Sequence, residues 1–94
     1  MKPEALRTQI SLGRTIITAY AMATLDPNSV QQALRRHATG DWGDLSLEDR
    51  QENDLSAREG FRILSAYTDS GGPRFWIITE ADRSSTIVLL PEDY

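Results

Sequence analysis

The chain has no cysteine and a single histidine, and these scarcities exclude several classes of protein. Without cysteine there are no disulfides, no thiolate metal sites and no cysteine catalysis. A reducing compartment suits such a chain. No apolar run approaches the roughly 20 residues that a membrane-spanning helix needs, and Met1–Leu12 lacks the apolar stretch of a signal peptide. We therefore expect a cytoplasmic protein.

Length and composition indicate one folded domain. The chain has 94 residues, of which 39% are hydrophobic and 26% are charged. These values are ordinary for a folded protein, and the length is enough for a modest core but not for two domains. We expect a single α+β domain over residues 1–94, with a loose polar start over residues 1–8.

The net charge of −4 is distributed unevenly along the chain. Residues 1–39 carry +3, residues 40–60 carry −5 and residues 61–94 carry −2. An acidic balance argues against direct nucleic-acid binding, because such binding depends on neutralising phosphates. The acidic middle favours instead a protein partner with a basic surface.

The sequence predicts a well-defined helix after Asp26. Asp26 is a favourable N-cap, and Pro27 suits the first helical position, where its missing N–H has no cost. Gly40 is placed to end the helix. Apolar residues and one histidine recur on one face of this helix, namely Val30, Ala33, Leu34, His37 and Ala38.

A second helix is predicted from Ser46 to Glu59, with Gly60 just beyond its end. Ser46 begins a capping-box-like start, and acids crowd the first turn, as the helix dipole favours. This helix has few apolar residues, Leu47, Leu55 and Ala57. Most of its surface must therefore be solvated or contact a partner.

The beginning of the chain is ambiguous. Ile10 and Leu12 alternate with polar neighbours, which predicts a short N-terminal strand. Gly13 would mark a bulge or a close approach of two backbones. Thr18 is a candidate cap for a short helix over residues 19–25, although the β-branched residues before it also favour a strand.

The last third of the chain predicts a three-stranded antiparallel meander. Its strands are Phe61–Tyr67, Arg74–Thr79 and Ser85–Leu90, separated by short turns. The second and third strands are apolar on both faces, which is typical of central strands. We expect two or three helices to cover one face. The first strand, a terminus or a second subunit would cover the other.

His37 has two interpretations. It is a general base or a metal ligand, or it is a half-buried histidine bonded to a carboxylate or carbonyl of the following loop. Asp41 and Asp44 are the nearest carboxylates in sequence. Because an inward position usually serves packing, we favour the second interpretation.

The acids that follow His37 form a loose cluster, Asp41, Asp44, Glu48 and Asp49. Hard cations prefer several oxygen ligands, so the cluster leaves a cation site open. Its spacing does not match the EF-hand pattern, and acids at a helix start need no metal to explain them. We expect no metal and no cofactor.

Trp42 lies between two glycines and two aspartates. It is either an exposed anchor for a partner or a side chain folded onto the core, which a small domain favours. The set Glu80, Asp82 and Arg83 predicts a turn rather than a catalytic site, because no phosphate-binding glycine loop or second histidine completes a mechanism. No base that would activate Ser65 is visible in the sequence.

Several stretches together resemble a known family. They are His37–Gly43, then Asp49 and Asn53, then Leu64–Tyr67, Trp76–Ser84 and Leu89–Tyr94. The combination resembles small uncharacterised bacterial proteins that plasmids and phages often carry, some of which bear a restriction-modification label. The resemblance brings no established activity or site residues. It implies an origin in mobile elements, where an anti-CRISPR or anti-restriction role is an expectation.

The leading functional hypothesis is a non-enzymatic binding protein that inhibits a host defence complex. Its acidic segment would occlude a basic groove that normally holds nucleic acid, with Trp42 as an apolar anchor. It would bind neither nucleic acid nor membrane directly. The expected contact residues are Asp41, Trp42, Asp44, Glu48, Asp49, Glu52 and Asp54.

Two alternatives remain open. One is a small metal-dependent hydrolase or nuclease that uses His37 and Asp41, which requires both side chains to converge in a cleft. The other is a structural homodimer formed through the two-sided apolar sheet or through pairing of the C-terminal strand.

Overall fold

The computed structural model describes residues 9–94, so the loose start expected over residues 1–8 lies outside the described residues. Within this range, three helices and four strands make an α+β domain, and the last three strands form the expected antiparallel meander. In chain order the elements are β1 (Arg14–Ile17), α1 (Ala19–Thr24), α2 (Pro27–Ala38), α3 (Leu47–Glu59), β2 (Ile63–Thr68), β3 (Arg74–Thr79), β4 (Ser85–Leu89) and a 3-10 turn (Pro91–Asp93).

The sheet is mixed, because β1 runs parallel to β4 in the strand order β1-β4-β3-β2. With β1 and β3 on its two sides, β4 has no free edge, so the expected pairing of the C-terminal strand across subunits does not fit this topology. The strand β1 also begins later than predicted. Ile10 is instead buried in the core beside Trp42 and Ile63.

Gly13 explains why β1 starts where it does. Its φ of 63° lies in the left-handed region, which glycine adopts without strain. A Cβ at this position would overlap the backbone carbonyls of Arg83 and Ser84. The close approach predicted for Gly13 is therefore present, and it brings the chain onto the edge of β4.

The helix ends follow the local sequence signals. Thr18 and Asp26 accept hydrogen bonds from backbone N–H groups at 3.0 Å at the starts of α1 and α2, and Ser46 does so at 3.1 Å at the start of α3. Gly60 ends α3 with a φ of 83°. Among the described residues, no helix combines the length and apolar character that crossing a bilayer requires.

The two faces of the sheet differ in their cover. The helices pack on the inner face, whose side chains come from alternate strand positions such as Tyr67, Phe75, Ile77 and Val88. On the outer face the ring of Tyr94 stands edge-on to Trp76, with centroids 5.6 Å apart. The guanidinium of Arg62 lies 5.9 Å from the same ring. The first strand, a terminus or a second subunit was expected to cover this face, and in the structure the C-terminus lies on it.

Candidate functional site

The acidic segment over residues 40–60 begins with a carboxylate that is already neutralised. Asp41 accepts two hydrogen bonds from Arg36, at 2.8 and 3.2 Å, and one from the N–H of Gly43 at 3.2 Å. The Arg36 guanidinium, with help from Gly43, lowers the pKa of the Asp41 carboxyl. The Tyr67 hydroxyl donates to the carbonyl of Asp41 at 2.8 Å. Asp41 therefore holds the loop, although its side chain is 52% exposed.

The loop continues as a short addition to the outer edge of β2. The N–H of Ala66 donates to the carbonyl of Trp42 at 3.3 Å, and the N–H of Asp44 donates to the carbonyl of Ala66 at 2.7 Å. Gly43 between them has a φ of 76°, and a Cβ there would overlap the Ala66 carbonyl oxygen. The Asp44 carboxylate accepts the Thr68 hydroxyl at 2.8 Å. Only glycine fits at position 43, where the backbone approaches the carbonyl of Ala66.

The expectation that Trp42 anchors a partner at the surface is wrong. Its side chain is 2% exposed. Its ring meets that of His37 edge-on at 5.8 Å, and its Nε1–H donates to the Asp54 carboxylate at 2.9 Å. Because the indole has both an apolar pocket and a partner for its only polar atom, burial is favourable. Asp54 accepts this bond with one oxygen and remains exposed.

All six acids among the seven expected contact residues are exposed, but three of them, Asp41, Asp44 and Asp54, are held by hydrogen bonds to other parts of the chain. Glu48, Asp49 and Glu52 are exposed on the first two turns of α3, and within residues 9–94 none of them takes part in an ion pair. The side chains that α3 buries are instead Asn53 and Ser56. The six acids thus lie at the surface, and of the expected contact residues only Trp42 is withdrawn from it.

Apolar side chains accompany these acids on the outer side of α3. Leu47 is 65% exposed and Leu55 is 37% exposed. Helical spacing places them on one stripe with Gln51, directly beside the stripe of Glu48 and Glu52. Leu47 is thus mostly exposed, whereas Leu55 is only partly so.

A shallow cleft opens between α3 and β2. It is lined by Leu45, Leu64, Asp49, Glu52 and Asn53. The Asn53 amide closes its inner end, because it donates to the carbonyl of Leu64 at 2.7 Å and accepts from the N–H of the same residue at 3.4 Å. The cleft therefore combines two leucines with two carboxylates.

His37 lies at the centre of a buried chain of hydrogen bonds. Its Nδ1 is 2.6 Å from the Ser65 hydroxyl, and its Nε2 is 2.8 Å from that of Thr79. Thr79 bonds to Thr86 at 2.7 Å, and Thr86 donates to the carbonyl of Leu12 at 2.7 Å. All four side chains are fully buried. The chain joins α2 to three strands and to the segment before β1.

The last bond fixes the direction of the others. Because Thr86 donates to a carbonyl, it must accept from Thr79, which then accepts from the Nε2–H of His37. The neutral ring is left to accept at Nδ1 from Ser65. Burial, with a smaller contribution from the charge of Arg83, lowers the pKa of His37 to about 4, so the ring is neutral at pH 7.

Sequence reasoning missed the pairing of His37 with Ser65. Neither Asp41 nor Asp44 bonds to the ring, contrary to the partners considered for it. The sequence did contain a signal for these partners. Three polar residues occupy inward positions of otherwise apolar strands, namely Ser65, Thr79 and Thr86. Such residues need partners when buried, and His37 is the side chain that reaches them.

The geometry does not bring His37 together with Ser65 or Asp41 at the surface as a catalytic set. His37 and Ser65 resemble a base and its nucleophile, but both are sealed from solvent and both ring nitrogens are already bonded. Asp41 is held by Arg36 at the surface, whereas His37 is fully buried. Within residues 9–94, no three histidine, aspartate or glutamate side chains converge as metal ligands would.

Arg83 has a structural role in the turn that the sequence predicted. Its φ is 62°, in the left-handed region. Its guanidinium donates to carbonyl oxygens from Ser56 at 3.0 Å, Phe61 at 2.8 Å, Glu80 at 3.1 Å and Ala81 at 3.3 Å. One side chain therefore ties the end of α3 to the turn between β3 and β4.

Comparison of the chain with protein-family models, with curated proteins and with solved structures finds no match. The resemblance to small plasmid and phage proteins therefore stays a hypothesis, and function has to be argued from the exposed chemistry of the site.

Proposed function

We propose that the chain is a non-enzymatic binding protein of a mobile element, which inhibits a host defence complex by covering a basic nucleic-acid-binding surface. The observation that carries this proposal is the exposed acidic group of Glu48, Asp49 and Glu52 on α3. Within the described residues these carboxylates have no cationic partner. Like charges held close together repel, and a partner's lysines or arginines would relieve that repulsion.

The cleft beside α3 suits the insertion of a lysine or arginine side chain from such a partner. The aliphatic stem of that side chain would lie against Leu45 and Leu64, and its charged end would reach Asp49 and Glu52. Long basic side chains commonly divide their contacts in this way. Leu47 and Leu55, on the neighbouring stripe of α3, would provide the apolar part of the interface.

The resemblance to plasmid and phage proteins supports the mobile-element origin of this role, and the burial of His37 favours binding over catalysis. A groove that holds nucleic acid is lined with lysine and arginine. An acidic helix that occupies such a groove competes directly with nucleic acid, and the competition weakens as salt screens the charges.

Binding to purified host defence complexes tests the proposal. The affinities to compare are those of wild type, of the variant Glu48→Gln/Asp49→Asn/Glu52→Gln and of a matched control, Glu59→Gln/Glu80→Gln/Glu92→Gln. Both variants change the net charge equally. We expect the first to weaken binding by on the order of tenfold or more and the control to bind as wild type does.

Two further readouts separate the mechanism from a general charge effect. A complex already loaded with its nucleic acid should not bind the chain, and rising salt should weaken the binding of the wild type more than that of the first variant. Equal losses in both variants would show that net charge alone matters. Unchanged affinity in the first variant would refute the role of α3.

A further inference from the structure

The two edges of the sheet differ in whether other parts of the chain cover their backbone groups. Along β2 the outer edge is covered, because Asn53 bonds to both backbone groups of Leu64 and the loop before α3 bonds to both groups of Ala66. Covering an edge prevents it from pairing with another chain. The edge at β2 is therefore closed.

The opposite edge, at β1, has no such cover within residues 9–94. The N–H groups of Arg14 and Thr18 donate toward β4, at 3.0 and 3.1 Å. Because backbone groups alternate in direction along a strand, those of Thr15 and Ile17 point away from the sheet. The strand contains no proline and no lysine, which are the usual protections of an edge.

The outer face of the sheet carries a patterned strip along this edge. Arg14 lies at one end, and it makes no ion pair within the described residues. Ile16 is in the middle, in register with Ile87, and is 42% exposed. At the other end Thr18 donates its hydroxyl to the Asp93 carboxylate at 2.7 Å. The strip is thus positive, then apolar, then negative.

We infer that β1 pairs with β1 of a second copy of this chain, antiparallel about a twofold axis at Ile16. Thr15 of each copy then faces Ile17 of the other, and each such pair exchanges both of its hydrogen bonds. The two Ile16 side chains meet at the axis. This inference does not depend on the proposed function.

The charges along the strip favour a second copy of the chain as the partner of β1, and they favour antiparallel pairing. In the antiparallel arrangement Arg14 of one copy lies opposite Thr18 of the other, beside its Asp93, and the twofold axis makes this contact twice. A parallel arrangement would set Arg14 against Arg14. On the inner side of the same edge, Ile17 and the exposed Met22 line an apolar cleft, which the second copy would cover.

Cysteine cross-linking tests the register directly, because the natural chain has no cysteine. Opposed residues of a non-hydrogen-bonded antiparallel pair have Cα atoms about 4.5 Å apart, within the range of a disulfide. We expect Ile16→Cys to form a covalent dimer on mild oxidation. Gln51→Cys, an exposed control on α3, should form no covalent dimer. Equal cross-linking of both variants, or none at position 16, would overturn the inference.

Mass measurement by light scattering gives an independent test. Wild type should have twice the mass of the chain, and Ile16→Lys should have the mass of one chain while keeping its circular dichroism. Arg14→Gln and Asp93→Asn should each lower the affinity of the dimer. The double variant should dimerise with about the affinity of the weaker single variant, because both changes remove the same contact. A wild-type chain that stays monomeric while a host protein protects the amides of Thr15 and Ile17 would exclude self-pairing.

Discussion

The Nδ1 atom of His37 lies 2.6 Å from the Ser65 hydroxyl, and both side chains are fully buried. The pair resembles a catalytic base and nucleophile, but here it joins α2 to β2. The second ring nitrogen bonds to Thr79 on β3, and Trp42 packs against the ring. The loop that leads to the acidic helix is therefore positioned by a buried polar contact rather than by a reactive site.

Removing the Ser65 hydroxyl should destabilise the fold. In Ser65→Ala the Nδ1 of His37 becomes a buried acceptor without a donor, which costs about 1–3 kcal/mol. Urea unfolding followed by tryptophan fluorescence measures the change in the free energy of unfolding. The exposed Ser11→Ala is the matched control and should lie within about 0.5 kcal/mol of wild type. Equal stability of the two variants would show that the bond to His37 contributes nothing.

The low pKa of His37 predicts a specific pH dependence of stability. The pKa is about 4 in the folded protein against an ordinary value of 6.5, so the unfolded chain binds more protons between these values. Stability is therefore full above pH 6.5 and falls as the pH decreases toward 4, by about 3 kcal/mol in total. Thermal unfolding across this pH range measures the loss.

The variant His37→Gln isolates this effect. It has no group that titrates between pH 6.5 and 4 at this position, so its curve should be flatter there although the protein is less stable overall. Arg36 lowers the pKa of Asp41, which places the titration of Asp41 at lower pH. A wild-type curve that is flat from pH 6.5 to 4 would contradict the assignment to His37.

Much of the fold could be predicted because its signals are local. Asp26 with Pro27 marks a helix start, and Gly60 marks a helix end, through contacts within a few residues. The place of β1 could not be predicted in this way. Its parallel pairing with β4 joins residues about 70 positions apart in the register, and it depends on the turn at Gly13, whose neighbours Arg83 and Ser84 are equally remote.

Two glycines with similar backbone angles should respond differently to alanine. Gly43 has a φ of 76° and Gly60 a φ of 83°, so both variants incur left-handed strain of about 1–2 kcal/mol. At Gly43 the new Cβ also overlaps the Ala66 carbonyl, while at Gly60 no atom lies nearby. We expect Gly43→Ala to lower the free energy of unfolding by about 3–5 kcal/mol in total.

Chemical denaturation of both variants measures the difference. Gly43→Ala should also speed amide exchange at Asp44, because the N–H of Asp44 donates to the carbonyl of Ala66. Gly60→Ala should leave that amide protected. Similar losses of stability in the two variants would mean that the loop can move away from β2 without cost, and the close contact would then have no structural role.

The candidate site was harder to predict than the fold. The acids of segment 40–60 are all exposed, yet the carboxylates of Asp41, Asp44 and Asp54 bond to other parts of the chain, and within residues 9–94 that of Glu48 does not. For Asp44 the difference depends on which strand edge lies beside the loop, because its partner Thr68 is on β2. That edge becomes known only once the order of the strands is known, so residue type alone could not separate structural acids from available ones.

Asn53 should prove essential to the closed edge at β2. In Asn53→Leu the volume is similar, but the amide that bonds to both backbone groups of Leu64 is lost. We expect the free energy of unfolding to fall by about 1–3 kcal/mol and amide exchange at Leu64 to accelerate. Gln51→Leu, the same change at an exposed position of α3, is the control and should alter neither quantity. If Leu64 stays protected in Asn53→Leu, then packing by α3 closes the edge without the amide.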